Sequence, residues 1–201
     1  DIVVLAKSPR AAQRLLESSR KYLEGKLKLK MNMDKSRVVS VFAKRNFKFL
    51  GFALGKGKDG VFIRAHAKSL KKAKQKLKEL TSRSQGRNVR VVMYKVKVFI
   101  RGWLGYFGIA NMRNTMKEWD GWLRRRFRMY IWKQWKLPKA RIRNLIKLGI
   151  PRYYAHKWGY VKGYWRAAGS PILTRSISNE RLAQAGYYSI LDRYESLHLC
   201  D

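Results

Sequence analysis

Trp119-Asp120-Gly121-Trp122-Leu123-Arg124-Arg125-Arg126-Phe127-Arg128-Met129-Tyr130-Ile131 is the stretch that decides the fold. With Met116 before it, Trp119, Leu123, Phe127, Tyr130 and Ile131 recur at three- and four-residue steps. That spacing puts them on one stripe of a helix. Asn114 is the expected N-cap, and the helix should stop before Pro138. The stripe assigns Trp119, Leu123, Phe127 and Tyr130 to a core, not to base stacking. The arginines then point outward in several directions, and only Arg124 and Arg128, one turn apart, share a face.

Upstream, Val92, Val96, Phe99, Ile100, Trp103 and Phe107 are also helix-spaced. The Val-rich residues 89–98 would suit a strand equally well, but the period continues through Phe107, too far for an ordinary strand. Trp103 and Tyr106 are expected in the core. Before them Leu70, Ala73, Leu77 and Leu80 form a stripe on a lysine-rich helix starting at Ser69 and broken at residues 82–86. Three helices with short links make a bundle. Beyond Pro138 the pieces are shorter. One helix is lined by Ile142, Leu145 and Ile146, and another spans residues 153–165 with interruptions at Gly159 and Gly163. A last helix, capped by Ser178, carries Leu182, Ala185, Tyr188, Ile190, Leu191 and Tyr194.

The beginning of the chain is different. Residues 1–6 form a β-branched run that predicts a buried strand. Ser8-Pro9 opens a helix that ends at Gly25. Leu27, Leu29, Met31 and Met33 alternate as a half-exposed strand, and residues 38–42 predict another. Residues 46–52 and 61–63 are expected to pair as a hairpin across the glycine-rich segment 55–60. The predicted class is therefore α+β: a small sheet with one helix (1–63), a three-helix bundle (64–137) and a basic, mostly helical end (138–201).

Composition narrows the partner. The chain has 47 Lys+Arg against 12 Asp+Glu, a net charge of +35 over 201 residues and a pI near 10.9. Between Asp120 and Glu180 there is no acid, but there are 15 Lys/Arg interleaved with aromatic residues. Unbalanced cations repel one another until a polyanion neutralises them, and phosphate binding gains further from counterion release. A short charge run is usually a solvated face or a disordered tail, but 46% hydrophobic content with seven Trp argues for a folded core. Cys200 is the single cysteine, and His66, His156 and His198 are scattered. This leaves no disulfide framework and no zinc pattern. No apolar run approaches the roughly 20 residues of a membrane span and no signal peptide is visible, so an intracellular, cytoplasmic location and no membrane partner are expected. The chain opens at Asp1 inside an apolar run, as the interior of a longer polypeptide would.

Several segments, in order, resemble one family. Asp1-Ile2-Val3-Val4 resembles the residues after the first Asp of the Tyr-Ala-Asp-Asp motif of reverse transcriptases. Met31-Asn32-Met33-Asp34-Lys35-Ser36-Arg37 resembles the later strand and turn of the palm, and Phe49-Leu50-Gly51-Phe52 the primer-grip hairpin. Ile100-Arg101-Gly102-Trp103-Leu104-Gly105-Tyr106-Phe107 is similar to the thumb, or maturase-specific domain X, of group II intron-encoded proteins. Trp122-Leu123-Arg124-Arg125-Arg126-Phe127-Arg128 with Trp132-Lys133-Gln134-Trp135-Lys136 is similar to the same domain. The Phe-Leu-Gly-Phe match is weak by itself, while the last two segments are specific.

The resemblance implies the end of a palm, a thumb and a basic C-terminal region of a group II intron-encoded reverse transcriptase/maturase. Its partners would be intron RNA, target DNA, a template–primer duplex, dNTP and an N-terminal fingers–palm half. Asp1 would be one of three carboxylates holding Mg²⁺ in the intact polymerase, with the others outside this sequence. No polymerase activity is expected of this chain alone. Lys35 resembles the lysine that protonates the leaving pyrophosphate, although an ordinary turn lysine explains it as well.

Phe49, Leu50, Gly51 and Phe52 would position the primer, and the same residues also suit a hydrophobic hairpin. Nucleic-acid contacts are expected from Lys71, Lys72, Lys74 and Lys78, from Arg101, and from Arg124, Arg125, Arg128, Lys133 and Lys136. Beyond Pro138 the candidates are Arg141, Arg143, Lys147, Arg152, Lys157, Lys162 and Arg166. The alternatives are a stand-alone RNA-binding splicing factor and a defence-type relative without polymerase activity in this chain.

Overall fold

In the computed structural model, residues 2–40, 47–58 and 60–198 are described. Asp1, residues 41–46 and Cys200 lie outside them. The chain forms two compact units, Asp1–Ser69 and Leu70–Asp201. Together they are α+β, with ten helices and one two-stranded sheet among the described residues.

In the first unit, α1 (Pro9–Gly25) starts as its sequence requires. Pro9 sits in the first turn and the Ser8 hydroxyl accepts from the Ala11 N–H at 3.2 Å, satisfying one of the orphan donors of a helix N-terminus. No residue of α1 is buried. β1 (Phe52–Gly57) and β2 (Gly60–Ala65) pair antiparallel from Phe52↔Ala65 to Gly57↔Gly60. The glycine-rich segment is thus mostly strand, not turn. Gly55 lies opposite Phe62, whose ring occupies the space a Cβ would need, with Cζ 2.5 Å from that position. A side chain there would displace the ring.

The strands expected at residues 2–6 and 27–33 are absent, and the described part of 38–42 is also irregular. A strand needs a neighbour for its ladder, and none of the described segments pairs with these. Ile2, Leu5 and Leu29 are left more than half exposed. The element before β1 is a tight turn instead. Phe49 and Phe52 exchange backbone bonds of 3.1 and 2.8 Å, while Leu50 and Gly51 take φ of 49° and 85°. Two successive positive φ values define a type I′ turn, easy for glycine but uncommon for leucine. The Gly51 carbonyl then accepts from the His66 N–H and the Ser69 hydroxyl, both at 2.9 Å.

The second unit is helical. It contains α2 (Ala67–Leu80) from Leu70 onward, α3 (Val89–Phe107) and α4 (Arg113–Gln134). Then come α5 (Pro138–Lys147), α6 (Arg152–Gly159) and α7 (Tyr164–Ala168). The last three are α8 (Pro171–Ser176), α9 (Asn179–Gln184) and α10 (Ile190–His198). Residues 89–98 are helix, as the long period demands. α2 starts two residues before Ser69, and α4 starts at Arg113 with Met112 as cap residue, so Asn114 is inside the helix. Ser178 caps α9 through the Arg181 N–H at 3.3 Å, but that helix ends early. Gly186 takes φ +101°, the left-handed conformation that stops a helix. The expected last helix is therefore two.

The core runs along Val92, Met93, Val96, Ile100 and Leu104 of α3 and Met116, Trp119, Leu123, Phe127 and Tyr130 of α4. α10 packs on both helices. Its Tyr194 hydroxyl donates to the Ala110 carbonyl at 2.9 Å and accepts from the Met112 N–H at 3.1 Å. Each large apolar side chain buried this way contributes about 1.5–3 kcal/mol. Trp119, Leu123, Phe127 and Tyr130 are buried as the stripe predicts. Tyr106, also expected inside, is 50% exposed, and Trp103 is half-buried against Phe107 and Trp119.

Candidate nucleic-acid interface

The arginines of α4 go inward more than the sequence indicates. Asp120, 1% exposed, sits one turn before Arg124 and accepts its Nη2 at 2.6 Å. The same carboxylate accepts from the Tyr187 hydroxyl (2.5 Å), the Ser189 hydroxyl (2.9 Å) and the Ile190 N–H (2.9 Å). Burial pushes the Tyr187 phenol far above its ordinary range, and the Asp120 charge adds to this.

Arg125 stacks on Trp165 at 4.1 Å and donates to the Trp165 carbonyl at 3.0 Å. Arg126 donates to the Thr81 hydroxyl and to the carbonyls of Lys78 and Thr81, closing the end of α2. Arg128 is buried, donating to the Ile177 carbonyl at 2.8 Å and the Asn179 side chain at 3.0 Å. Burial, and then the like charge of Arg124, lower its pKa. The reason is geometric. α7 and α10 pack on α4, so faces that look solvent-exposed on an isolated helix are covered. A long guanidinium satisfies the buried carbonyls it meets.

Arg141 is likewise buried, 4.8 Å over the Trp132 ring. The exposed cationic surface therefore excludes Arg128, Arg141 lies beneath it with its Nε unpartnered, and Arg124 and Arg125 reach it only in part. It retains the lysines of α2. Lys71, Lys72, Lys74 and Lys78 are exposed around the buried Ala73 and Leu77, and Lys74 lies 5.6 Å over Trp122. Arg101 is exposed on α3, Lys133 in the last turn of α4, and Lys136 just beyond it.

Exposed cations and exposed aromatic rings occur together on α5–α7. Arg143, Lys147, Arg152, Lys157, Lys162 and Arg166 are all exposed, as are Tyr153 (71%), Tyr154, Tyr160 and Trp165. No carboxylate occurs between Asp120 and Glu180 to neutralise them. Beside this surface, Ile150, Pro151, Tyr154, Trp158 and Ile172 line an apolar cleft of about 220 Å³ flanked by Lys157 and Arg175. Sequence periodicity missed this cleft, because its walls come from elements some 20 residues apart and carry no shared spacing.

In the first unit, Lys35 is an exposed turn residue whose N–H donates to the Asn32 side chain at 3.1 Å. Phe49, Leu50, Gly51 and Phe52 form the tight turn described above. Asp1 lies outside the described residues. Among the described residues no three His, Cys, Asp or Glu side chains converge to hold a metal. No described helix is long and apolar enough to cross a membrane.

A helical unit with an acid-poor cationic face and exposed aromatic rings is the form of a nucleic-acid-binding module. Its particular kind is also identifiable. Residues 70–149 match the family model described as group II intron, maturase-specific domain. Over those residues, from Leu70 in α2 to just past the end of α5, the chain is similar to the maturase-specific domain of group II introns. No curated protein sequence matches the chain.

Proposed function

We propose that the unit Leu70–Asp201 binds folded intron RNA through the α5–α7 surface and the α2 lysines, holding the RNA in its splicing-competent form. The same helices would grip a template–primer duplex on a target DNA when the chain works within a reverse transcriptase. The observation that carries the RNA-binding part is the α5–α7 segment: seven exposed cations, Lys139 among them, and four exposed aromatic rings, with no acid in that stretch of sequence. Phosphate and 2′-hydroxyl contacts from such a surface recognise RNA shape more than sequence.

Binding of group II intron RNA is to be compared with binding of an unrelated structured RNA of equal length as salt is raised. The intron RNA should retain an advantage when the non-specific electrostatic component has been screened. Equal affinities at every salt concentration refute the maturase reading.

The polymerase part has its own support. Ile2, Leu5, Leu15, Tyr22, Leu27 and Leu29 are exposed in the first unit, more apolar surface than a free-standing unit ordinarily presents. A fingers–palm polypeptide supplying the remaining carboxylates, Mg²⁺ and the dNTP site would cover it. Adding that polypeptide in trans should restore cDNA synthesis and protect these residues from solvent exchange. Protection without synthesis favours a splicing factor with a vestigial palm.

A further inference from the structure

We propose that Arg83, Lys133, Arg141 and Tyr164 form a discrete phosphate-binding site, which takes the non-bridging oxygens of one nucleic-acid phosphodiester. The inference deepens the RNA-binding reading and rests on it. Four elements contribute. Arg83 comes from the link between α2 and α3, Lys133 from the last turn of α4, Arg141 from α5, and Tyr164 opens α7. All three cations gather on one ring: Arg83 at 4.5 Å from its centroid, Lys133 at 5.1 Å and Arg141 at 5.6 Å. The charges of Lys133 and Arg141 also act on the Tyr164 hydroxyl.

Attraction to the ring explains only part of this. One aromatic quadrupole stabilises a cation modestly, whereas three unit charges around it repel one another. None of the ion pairs among the described residues includes Arg83, Lys133 or Arg141. Arg141 is the most telling member. It is 93% buried, its Nε has no hydrogen-bond partner, and its guanidinium makes a long 3.4 Å contact to the Val161 carbonyl. A buried guanidinium without an anion is costly, and the Trp132 ring beneath it fixes its plane.

An arginine fork, a lysine point charge and a phenol donor together match the tetrahedral oxygens of a phosphate. Arg83 and Lys133 are exposed and Tyr164 is half-buried, so a phosphate has access from solvent. The charge concentration already leaves a mark. Desolvation would raise the Tyr164 phenol, but the charges and hydrogen bonds of Lys133 and Arg141 outweigh it and hold its pKa below the ordinary tyrosine value.

Two measurements test the site. The first tracks phenol ionisation by ultraviolet difference spectra between the full chain and its Tyr164→Phe variant, in sodium sulfate and in sodium chloride of equal ionic strength. Bound sulfate should raise the Tyr164 midpoint with a saturable dose dependence that chloride lacks. Identical curves in the two salts overturn the proposal.

The second uses the exposed members, which spare the fold. Arg83→Gln and Lys133→Gln should each weaken binding of duplex RNA by ~8-fold at 0.1 M salt and flatten the slope of log affinity against log salt by about 0.7–0.9, as expected for one phosphate. Holding the same phosphate, they should be non-additive, so that the double variant loses less than the product. Losses that multiply, or that equal the loss from neutralising Lys95 on the exposed side of α3, overturn it. Loss of preference for intron RNA with these effects intact would refute only the splicing role.

Discussion

Asp120→Asn should be among the most destabilising polar substitutions in this chain. The carboxylate holds four donors. Oδ1 accepts from the Tyr187 hydroxyl and the Ile190 N–H, and Oδ2 accepts from Arg124 and the Ser189 hydroxyl. An amide keeps one acceptor, so its NH₂ must face either Arg124 or the Tyr187–Ile190 side. The first choice sets donor against donor and leaves the guanidinium unpaired. The second detaches the first residue of α10. A charge-assisted hydrogen bond is worth about 1.5–3 kcal/mol and breaking a buried ion pair about 3–5.

The Arg124 side chain is 27% exposed, so water recovers part of the loss. About 3 kcal/mol in total is expected. In a unit of this size that lowers the melting temperature by ~10 °C, measured by circular dichroism. Arg124→Met leaves Asp120 three neutral donors and should cost only about 1–2 kcal/mol. The double variant should be milder than the sum, because both substitutions remove the same pair. A fall of less than ~2 °C for Asp120→Asn would refute the view that this carboxylate anchors α10 to α4.

Two further outcomes come from the packing. Gly159→Ala places a Cβ against the Ile142 side chain, with the Pro138 carbonyl at 3.4 Å. Overpacking where α6 meets α5 should cost about 1–3 kcal/mol in chemical denaturation, and a change within 0.5 kcal/mol means the contact relaxes freely. Tyr187→Phe removes a donor to Asp120 and should cost about 1–2 kcal/mol at neutral pH. The folded-state pKa of Tyr187 is raised, so its contribution is complete below the unfolded phenol value and is lost as pH rises beyond about 10. The stability difference between the two proteins should therefore shrink in that range. A difference that stays constant there would show that Tyr187 ionises alike in both states.

The helices were legible because their information is local. The apolar stripe through Trp119, Leu123, Phe127 and Tyr130 encodes α4 and the face it buries. The Ser8-Pro9 and Ser178 caps encode the starts of α1 and α9. The 3.6-residue period through Phe107 settled the helix at residues 89–98. The strands before residue 40 were not legible in the same way, because β-branched composition permits a strand but only a paired neighbour makes one. The Gly55–Phe62 pairing was hidden for a related reason: glycine marks both turns and close approaches.

The chain's sequence by itself determined the α+β class, the charge that demands a polyanion and the resemblance that the maturase-specific domain bears out over residues 70–149. Only tertiary structure decided which cations are free. On an isolated α4, Arg124, Arg125, Arg126 and Arg128 all lie off the apolar stripe and face outward. Once α7, α9 and α10 are placed, Arg128 becomes a buried bridge to Ile177 and Asn179, while Arg125 is stacked on Trp165. Arg83, Lys133 and Arg141 are far apart in sequence, yet they meet on Tyr164. Charge is a property of a residue, but exposure and convergence are properties of neighbours, and neighbours from distant segments exist only after folding.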